Sequence, residues 1–296
     1  MYTDKNGQTW YKGNLHTHTT ISDGKSAPED TLKLYASNGY DFIALTDHWK
    51  YNKGGYNEEA GILVIPGCEY HTGANVQEGI YHVVSAGADR EPSLDRTNGL
   101  PPVQEIIDAI KEAGGFAILA HPAWSMDEAS VVRDLTGLDA IEIYNTMSGR
   151  PWNIRPYSGD FYDRLCAHGV LLGAVADDDT HFYDGDQCVS FVYVKAESCT
   201  REAIRDALVK GDYIATQGPM LRMYKTEEGT IIAETDAPVI EFTFFSDAPH
   251  NKARIVRSEN GITRAEYKPL KNETFIRAEA LDSNGKYAWS TSIPLK

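Results

Sequence analysis

Short apolar runs in this chain repeatedly give way to a histidine or a carboxylate, and that recurrence limits the folds open to it. Residues 12–16 lead into His16-Thr17-His18, 42–46 into Asp47-His48, 62–65 into Gly67-Cys68-Glu69, 117–120 into His121, and 170–176 into Asp179-Thr180-His181. Continuous apolar runs of this length read as strands buried on both faces. Helical stretches alternate with them at 28–38, 103–113 and 201–210. The first is expected to start on Ser26 as N-cap, with Pro28 in its first turn. Buried strands alternating with helices predict an α/β fold with a parallel sheet. Seven or more such strands before residue 216 suit a closed barrel better than an open sheet.

The texture changes after Gly218-Pro219. Segments 220–224, 239–244, 253–257, 275–281 and 287–290 alternate apolar and polar residues. Glu228-Gly229, Asn260-Gly261 and Asn284-Gly285 read as hairpin turns between them. The chain is therefore expected to divide into an α/β domain at 1–216 and a small antiparallel β-sandwich at 217–296. Residues 144–160, rich in Gly, Pro, Arg and Trp, read as a long loop.

A net charge of −15 argues against non-specific binding to nucleic acid or to an anionic membrane. No apolar stretch reaches membrane-spanning length. The four cysteines form no C-x-x-C pair and read as free thiols in a reducing compartment. No apolar run follows Met1, so a cytoplasmic location is expected.

The chain has nine histidines, and six fall in or beside the strand ends. Residues two apart on a strand share a face, so His16 and His18 can reach one ion together. Asp179 and His181 repeat that spacing. Asp177 and Asp178 stand beside them, and Asp179 is preferred because it shares a face with His181. A buried carboxylate at Glu69 is costly unless paired or metal-bound, and a carboxylate can bridge two ions. His48, His82, His121 ahead of Pro122, and Asp23 in the Ser22-Asp23-Gly24 loop complete the candidate ligands. Mixed imidazole and carboxylate donors suit Mn, Fe or Zn, and a centre of several such ions is expected. His71, two residues beyond Glu69, is a candidate general acid. Arg150 and Arg155 are candidate clamps for a phosphate. Lys25 has a similar standing, and Trp152 and Tyr157 could stack on a ring.

In this order, H-x-H, S-D-G, T-D-H, a strand-end Glu, a strand His, A-H-P and D-x-H resemble the PHP (polymerase and histidinol phosphatase) family over residues 12–213. The resemblance implies a distorted (β/α)7 barrel with a two- or three-ion centre at the C-terminal ends of its strands. By the same resemblance, His16, His18, Glu69 and Asp179 would hold one ion. A second would share Glu69 and use His82 and His121. A third would use Asp23, His48 and His181, with Asp23 standing where some relatives carry His. The tail resembles that of a PHP branch with a C-terminal sandwich.

The expected activity is hydrolysis of a small phosphate mono- or diester by a hydroxide shared between two ions. The expected partner is therefore a small-molecule phosphoester. Two other readings stand beside it. An amidohydrolase-type reaction on an amide, ester or carbamate would favour a bridging carboxylated Lys, whereas Glu69 and the D-x-H motif occupy those places. A non-catalytic binding module with structural ions would favour a closed cysteine site, which this chain lacks.

Overall fold

Apolar strands flanked by loops that carry polar groups organise the chain into two sheets. The computed structural model describes residues 1–75 and 79–295. The first sheet runs Gly55–Asn57, Ile62–Ile65, Phe42–Ala44, Thr9–Asn14, Phe191–Lys195, Tyr213–Thr216 and on into the C-terminal strands. Its Ile62–Ile65, Phe42–Ala44 and Thr9–Asn14 strands are parallel, as the alternation with helices predicts. Gly13 lies under the Phe42 ring, where an added Cβ would stand only 2.0 Å from a ring carbon. The second sheet runs Gly173–Asp177, Ala140–Asn145, Phe116–Leu119, Gly79–Ala86 and Gly67–Asn75. Its first three strands are parallel and the rest antiparallel.

Among the described residues the two sheets do not close into one continuous ring. The chain passes from one to the other at Pro66, between Ile62–Ile65 and Gly67–Asn75, where proline has no N–H for a ladder. Two isolated parallel bridges join the sheets instead, Thr17 with Thr180 and His48 with Glu69. A shared apolar core still lies between them. Phe42, Leu63 and Ile65 of one sheet pack with Val84, Phe116, Ile118 and Val175 of the other. Each side chain of this size contributes about 1.5–3 kcal/mol by leaving water.

The helices Pro28–Ser37, Val103–Glu112 and Arg201–Lys210 fall where their apolar periodicity places them. Ser26 does not cap the first of them: Ala27 holds the N-cap position, and no side chain caps it. Thr200 caps Arg201–Lys210 by accepting from the Ala203 amide at 3.3 Å. No helix among the described residues is long and apolar enough to cross a membrane.

The antiparallel C-terminal strands are present, but their connection to the rest differs from expectation. Tyr213–Thr216 pairs with Phe191–Lys195 on one edge and with Tyr287–Trp289 on the other. The C-terminal strands thus continue the first sheet. Asn260-Gly261 is not a turn but lies inside the Ile255–Tyr267 strand. Gly261, at φ +78°, accommodates a bulge there, and the ladder with Ile231–Phe245 resumes in a shifted register. The Glu228-Gly229 and Asn284-Gly285 turns do connect successive strands.

Buried Arg277 ties the C-terminal strands to the rest of the fold. Its Nε donates to Asp163 at 2.6 Å and its Nη1 to Glu279 at 2.5 Å. Its Nη2 donates to Asp163 and to the Tyr157 hydroxyl. An Arg277→Leu variant leaves two carboxylates without their cation. It should lose about 3–5 kcal/mol of stability, read from the midpoint of a urea unfolding curve.

Candidate metal centre

Two peptide segments set the register of the centre. The His16 carbonyl accepts from the Asp179 amide at 2.9 Å, and the His18 amide donates to the Thr180 carbonyl at 3.0 Å. His16-Thr17-His18 therefore runs alongside Asp179-Thr180-His181, just beyond the ends of Thr9–Asn14 and Gly173–Asp177. The same thread continues outward. The Thr46 amide donates to the Thr17 carbonyl, and the Glu69 amide donates to the Thr46 carbonyl. Four chain segments are thus locked side by side with their histidines and acids on one end of the fold.

Four donor atoms meet at the middle. His16 Nε2 and His18 Nε2 lie 3.1 Å apart. Glu69 Oε2 is 3.3 Å from the first and 3.1 Å from the second. Asp179 Oδ1 is 3.2 Å from each. Four donors held about 2.0–2.1 Å from one tetrahedral divalent ion would lie roughly 3.3–3.4 Å apart. Glu69 Oε2 and Asp179 Oδ1 are also buried without a hydrogen-bond partner among the described residues. Buried carboxylate oxygens are ordinarily satisfied, so this donor set fits a divalent ion.

Glu69 lies at the centre of a wider set. Besides His16 and His18, its Oε2 faces His48 Nδ1 at 3.0 Å. Its Oε1 faces His82 Nδ1 at 2.7 Å and His121 Nε2 at 3.4 Å. His48, Glu69 and His82 form a second group of converging donors. Asp23, on an exposed loop, forms a looser third group with His18, His48 and His181 at 3.5 to 3.7 Å. All nine candidate ligands are therefore gathered in one place.

The electrostatics are those of buried negative charge in need of cations. Burial opposes ionisation of Glu69, but positive charge on His16, His82 and His48 outweighs it and holds the carboxyl well below its usual range. Burial likewise opposes ionisation of Asp179, and His16 and His181 overcome it. His181 is resisted by burial but pushed up to about 9 by Asp179 and Asp23. Bound divalent cations would supply that positive charge at the same point and leave the imidazoles neutral as ligands.

Backbone strain collects here too. His121 has φ +31° and Asp179 φ +55°, both left-handed, and Trp49 after His48 has φ +53°. His121 makes its left-handed turn directly ahead of Pro122. Gly24 closes the Ser-Asp-Gly loop against the His18 backbone, where a Cβ would meet the carbonyl at 2.5 Å. Asp47 holds that loop by accepting from the amides of Thr19 and Ser22 at 2.8 and 3.0 Å.

The remaining expected residues fall differently. His71 pairs across the ladder with His82 and does not line the cavity. Burial, and then His82 and His48, lower it to about 4, so it has no spare proton for a leaving group at neutral pH. Arg150 lines a separate cleft with Trp152 and Ile154, and Arg155 is exposed on the loop. Neither reaches the cavity of about 320 Å³ above the cluster. Its walls are Lys25, Trp124, Met147, Asn153 and Phe182. Asp177 and Asp178 serve the fold: Asp177 accepts from the Leu15 amide, and Asp178 accepts from the amides of Cys188, Val189 and Ser190.

Glu142 is the residue that sequence reasoning passed over. It is fully buried, lies 2.7 Å from His16 Nδ1, and accepts from the His121 amide and from Asn145 Nδ2, both at 2.8 Å. A carboxylate behind a metal-facing imidazole fixes which nitrogen points forward. Its one sequence signal is a lone acid inside the apolar strand Ala140–Asn145.

Three comparisons bear on this geometry. No family model matches the chain. The uncharacterized protein MJ1587 of Methanocaldococcus jannaschii is 31% identical over 152 residues, which cover 45% of this chain and 81% of that protein. A two-domain protein of Bacteroides vulgatus, containing a predicted PHP-like metal-dependent phosphoesterase, overlays on 99% of this chain and 98% of its own. The TM-score is 0.56 at 15% identity. The chain belongs to the family of the archaeal protein, and its fold is PHP-like. An amidohydrolase from Chromobacterium violaceum overlays on 59% of this chain and 89% of that one, with a TM-score of 0.45 and 18% identity.

The donor cluster and its surroundings generate two predictions. Glu142→Gln keeps the shape and loses the charge behind His16, so affinity for Mn²⁺ should fall about 10- to 100-fold in a chelator-competition titration. Asp127 lies outside the cluster with both carboxylate oxygens buried and unpaired among the described residues, and burial raises it to about 8 from 3.8. A raised carboxyl favours folding while protonated, so stability should fall as pH rises from about 4 through 8. Asp127→Asn removes that loss. Its melting temperature should pull ahead of the parent's across this window in thermal scans.

Proposed function

We propose that the chain is a divalent-metal-dependent hydrolase acting on a small phosphate mono- or diester. The observation that carries this reading is the shell formed by His16, His18, Glu69 and Asp179, with two unpartnered carboxylate oxygens, beneath an open cavity. On this reading the two sheets act as a distorted (β/α)7 barrel, and residues 217–296 form a β-sandwich domain appended to it. The four-donor shell would hold one ion. Glu69 would be shared with a second ion at His82 and His121, with His48 close by. Asp23, His48 and His181 would hold a third. Mn, Fe and Zn all suit these donors.

Bound ions would acidify a water and neutralise charge on the ester's oxygens. The chain's own groups do the positioning. Glu142 and Asn145 orient His16 and Asp179 from behind. Lys25 brings a positive charge to the cavity, where an anionic ester would enter. Trp124, Met147 and Phe182 give the cavity an apolar wall that limits water.

One observation favours a second reading. Lys25 is the only Lys or Arg on the cavity wall among the described residues. A single cation and an apolar wall also suit an uncharged ester, amide or carbamate.

The test uses protein stripped of metal and reloaded with Mn²⁺. Hydrolysis of p-nitrophenyl phosphate or bis(p-nitrophenyl) phosphate is expected, with EDTA abolishing it. The His16→Ala/His18→Ala variant should lose about 100-fold or more in kcat/KM. Cleavage of p-nitrophenyl acetate or an anilide, with neither phosphate touched, would replace this reading with the second.

A further inference from the structure

The histidines around Glu69 are not all braced in the same way. His16 has the Glu142 carboxylate 2.7 Å behind its Nδ1. His82 has a single ring contact of hydrogen-bond length among the described residues, 2.7 Å between its Nδ1 and Glu69. Behind His121 stands the Ser125 hydroxyl, 3.3 Å from Nδ1. An aromatic ring fills the place that a bracing carboxylate would take. The Trp124 indole is edge-on to both rings, with centroids 4.9 Å from His121 at 77° and 5.9 Å from His82 at 75°. His82 and His121 meet each other at 4.9 Å and 62°. Edge-to-face contacts favour one mutual tilt of the rings that make them.

The tilt of Trp124 is set from two sides. Its backbone lies in the short helix Pro122–Ser125, directly after the left-handed His121, and its amide donates to the His121 carbonyl at 2.9 Å. Its indole N–H donates to Asn153 Oδ1 at 3.1 Å. The χ2 torsion of a tryptophan is broad, so a hydrogen bond on the indole nitrogen selects the orientation that meets the histidines. Asn153 is held in turn. Its side-chain nitrogen donates to the Met147 carbonyl at 3.2 Å, and its amide donates to the Gly149 carbonyl at 2.7 Å. Both Trp124 and Asn153 are half-buried on the cavity wall.

We propose that Asn153 and Trp124 form a clasp that positions His82 and His121 for the second ion. The proposal rests on the metal-centre reading, in which Glu69, His82 and His121 share that ion. Neither member of the clasp acts as a ligand. An indole nitrogen is a donor only, and Asn153 Oδ1 is occupied by that donor. Both are positioning residues that act through the two imidazoles. The clasp ties the affinity of one ion to the loop at 146–158, while the four-donor shell around His16 is braced by Glu142 instead.

The test is a Mn²⁺ titration of the intact, metal-stripped protein, with free Mn²⁺ read by its EPR signal. The parent should bind at least two ions in separable steps. His82→Ala marks the second-ion step as the one it weakens most. Asn153→Leu and Trp124→Phe cut the clasp from its two ends. Each should weaken the marked step about tenfold and leave the other steps and the melting temperature unchanged. The double variant should be no weaker than the weaker single, because both changes remove one hydrogen bond. If Trp124→Phe loses its cooperative melt, Asn153→Leu and Asn153→Ala decide the matter, since both leave the indole in place. The proposal is overturned if either single variant binds at the marked step like the parent, if all steps weaken together, or if the two losses multiply in the double variant. A parent that binds one ion or none would sink the metal-centre reading itself, and the proposal with it.

Discussion

Buried negative charge is the constraint around which this molecule is organised. Glu69 and Asp179 are withdrawn from water, and neither could stay ionised there without positive partners. Imidazoles from five separate chain segments supply those partners. The Thr180–Thr17–Thr46–Glu69 backbone thread holds the segments of His16, His18, His48 and His181 level with Glu69, and the second sheet brings in His82 and His121. The left-handed backbones of His121 and Asp179 are conformations that packing must hold in place, and both occur where a side chain must face the cluster.

Much of this centre was legible because local spacing encodes it. H-x-H puts two donors on one side of the chain even though Thr9–Asn14 ends before His16, whereas Asp179 meets the cluster through a left-handed backbone that spacing does not announce. The choice of Asp179 over its neighbours followed from the same period, and the amides claimed by Asp177 and Asp178 explain where those two carboxylates go. Glu142 was hidden because its partners, His16 and the His121 amide, are distant in the chain. Nothing in an isolated acid within an apolar strand announces such a contact.

The fold was legible to the level of strands and helices, and less so in how strands find neighbours. Alternation tells a strand which face is buried but not which edge it pairs with, so the join between Tyr213–Thr216 and Tyr287–Trp289 was invisible. The Asn260-Gly261 pair carries hairpin chemistry, yet Gly261 spends its positive φ on a bulge within a long strand. Arg150 and Arg155 illustrate a third limit. A loop of this length turns some side chains toward a site and others away: Met147 and Asn153 line the cavity, while Arg150 faces a separate cleft and Arg155 is exposed.

The shared edge of Tyr213–Thr216 has a consequence for how the chain is made. During synthesis that strand emerges well before Tyr287–Trp289, so one of its edges stays unpaired while the later strands are still being built. An open edge is a template for misdirected pairing with other chains. The half that carries the donor cluster therefore reaches its final sheet only once Tyr287–Trp289 has been made, and its safe maturation depends on strands made well after its own.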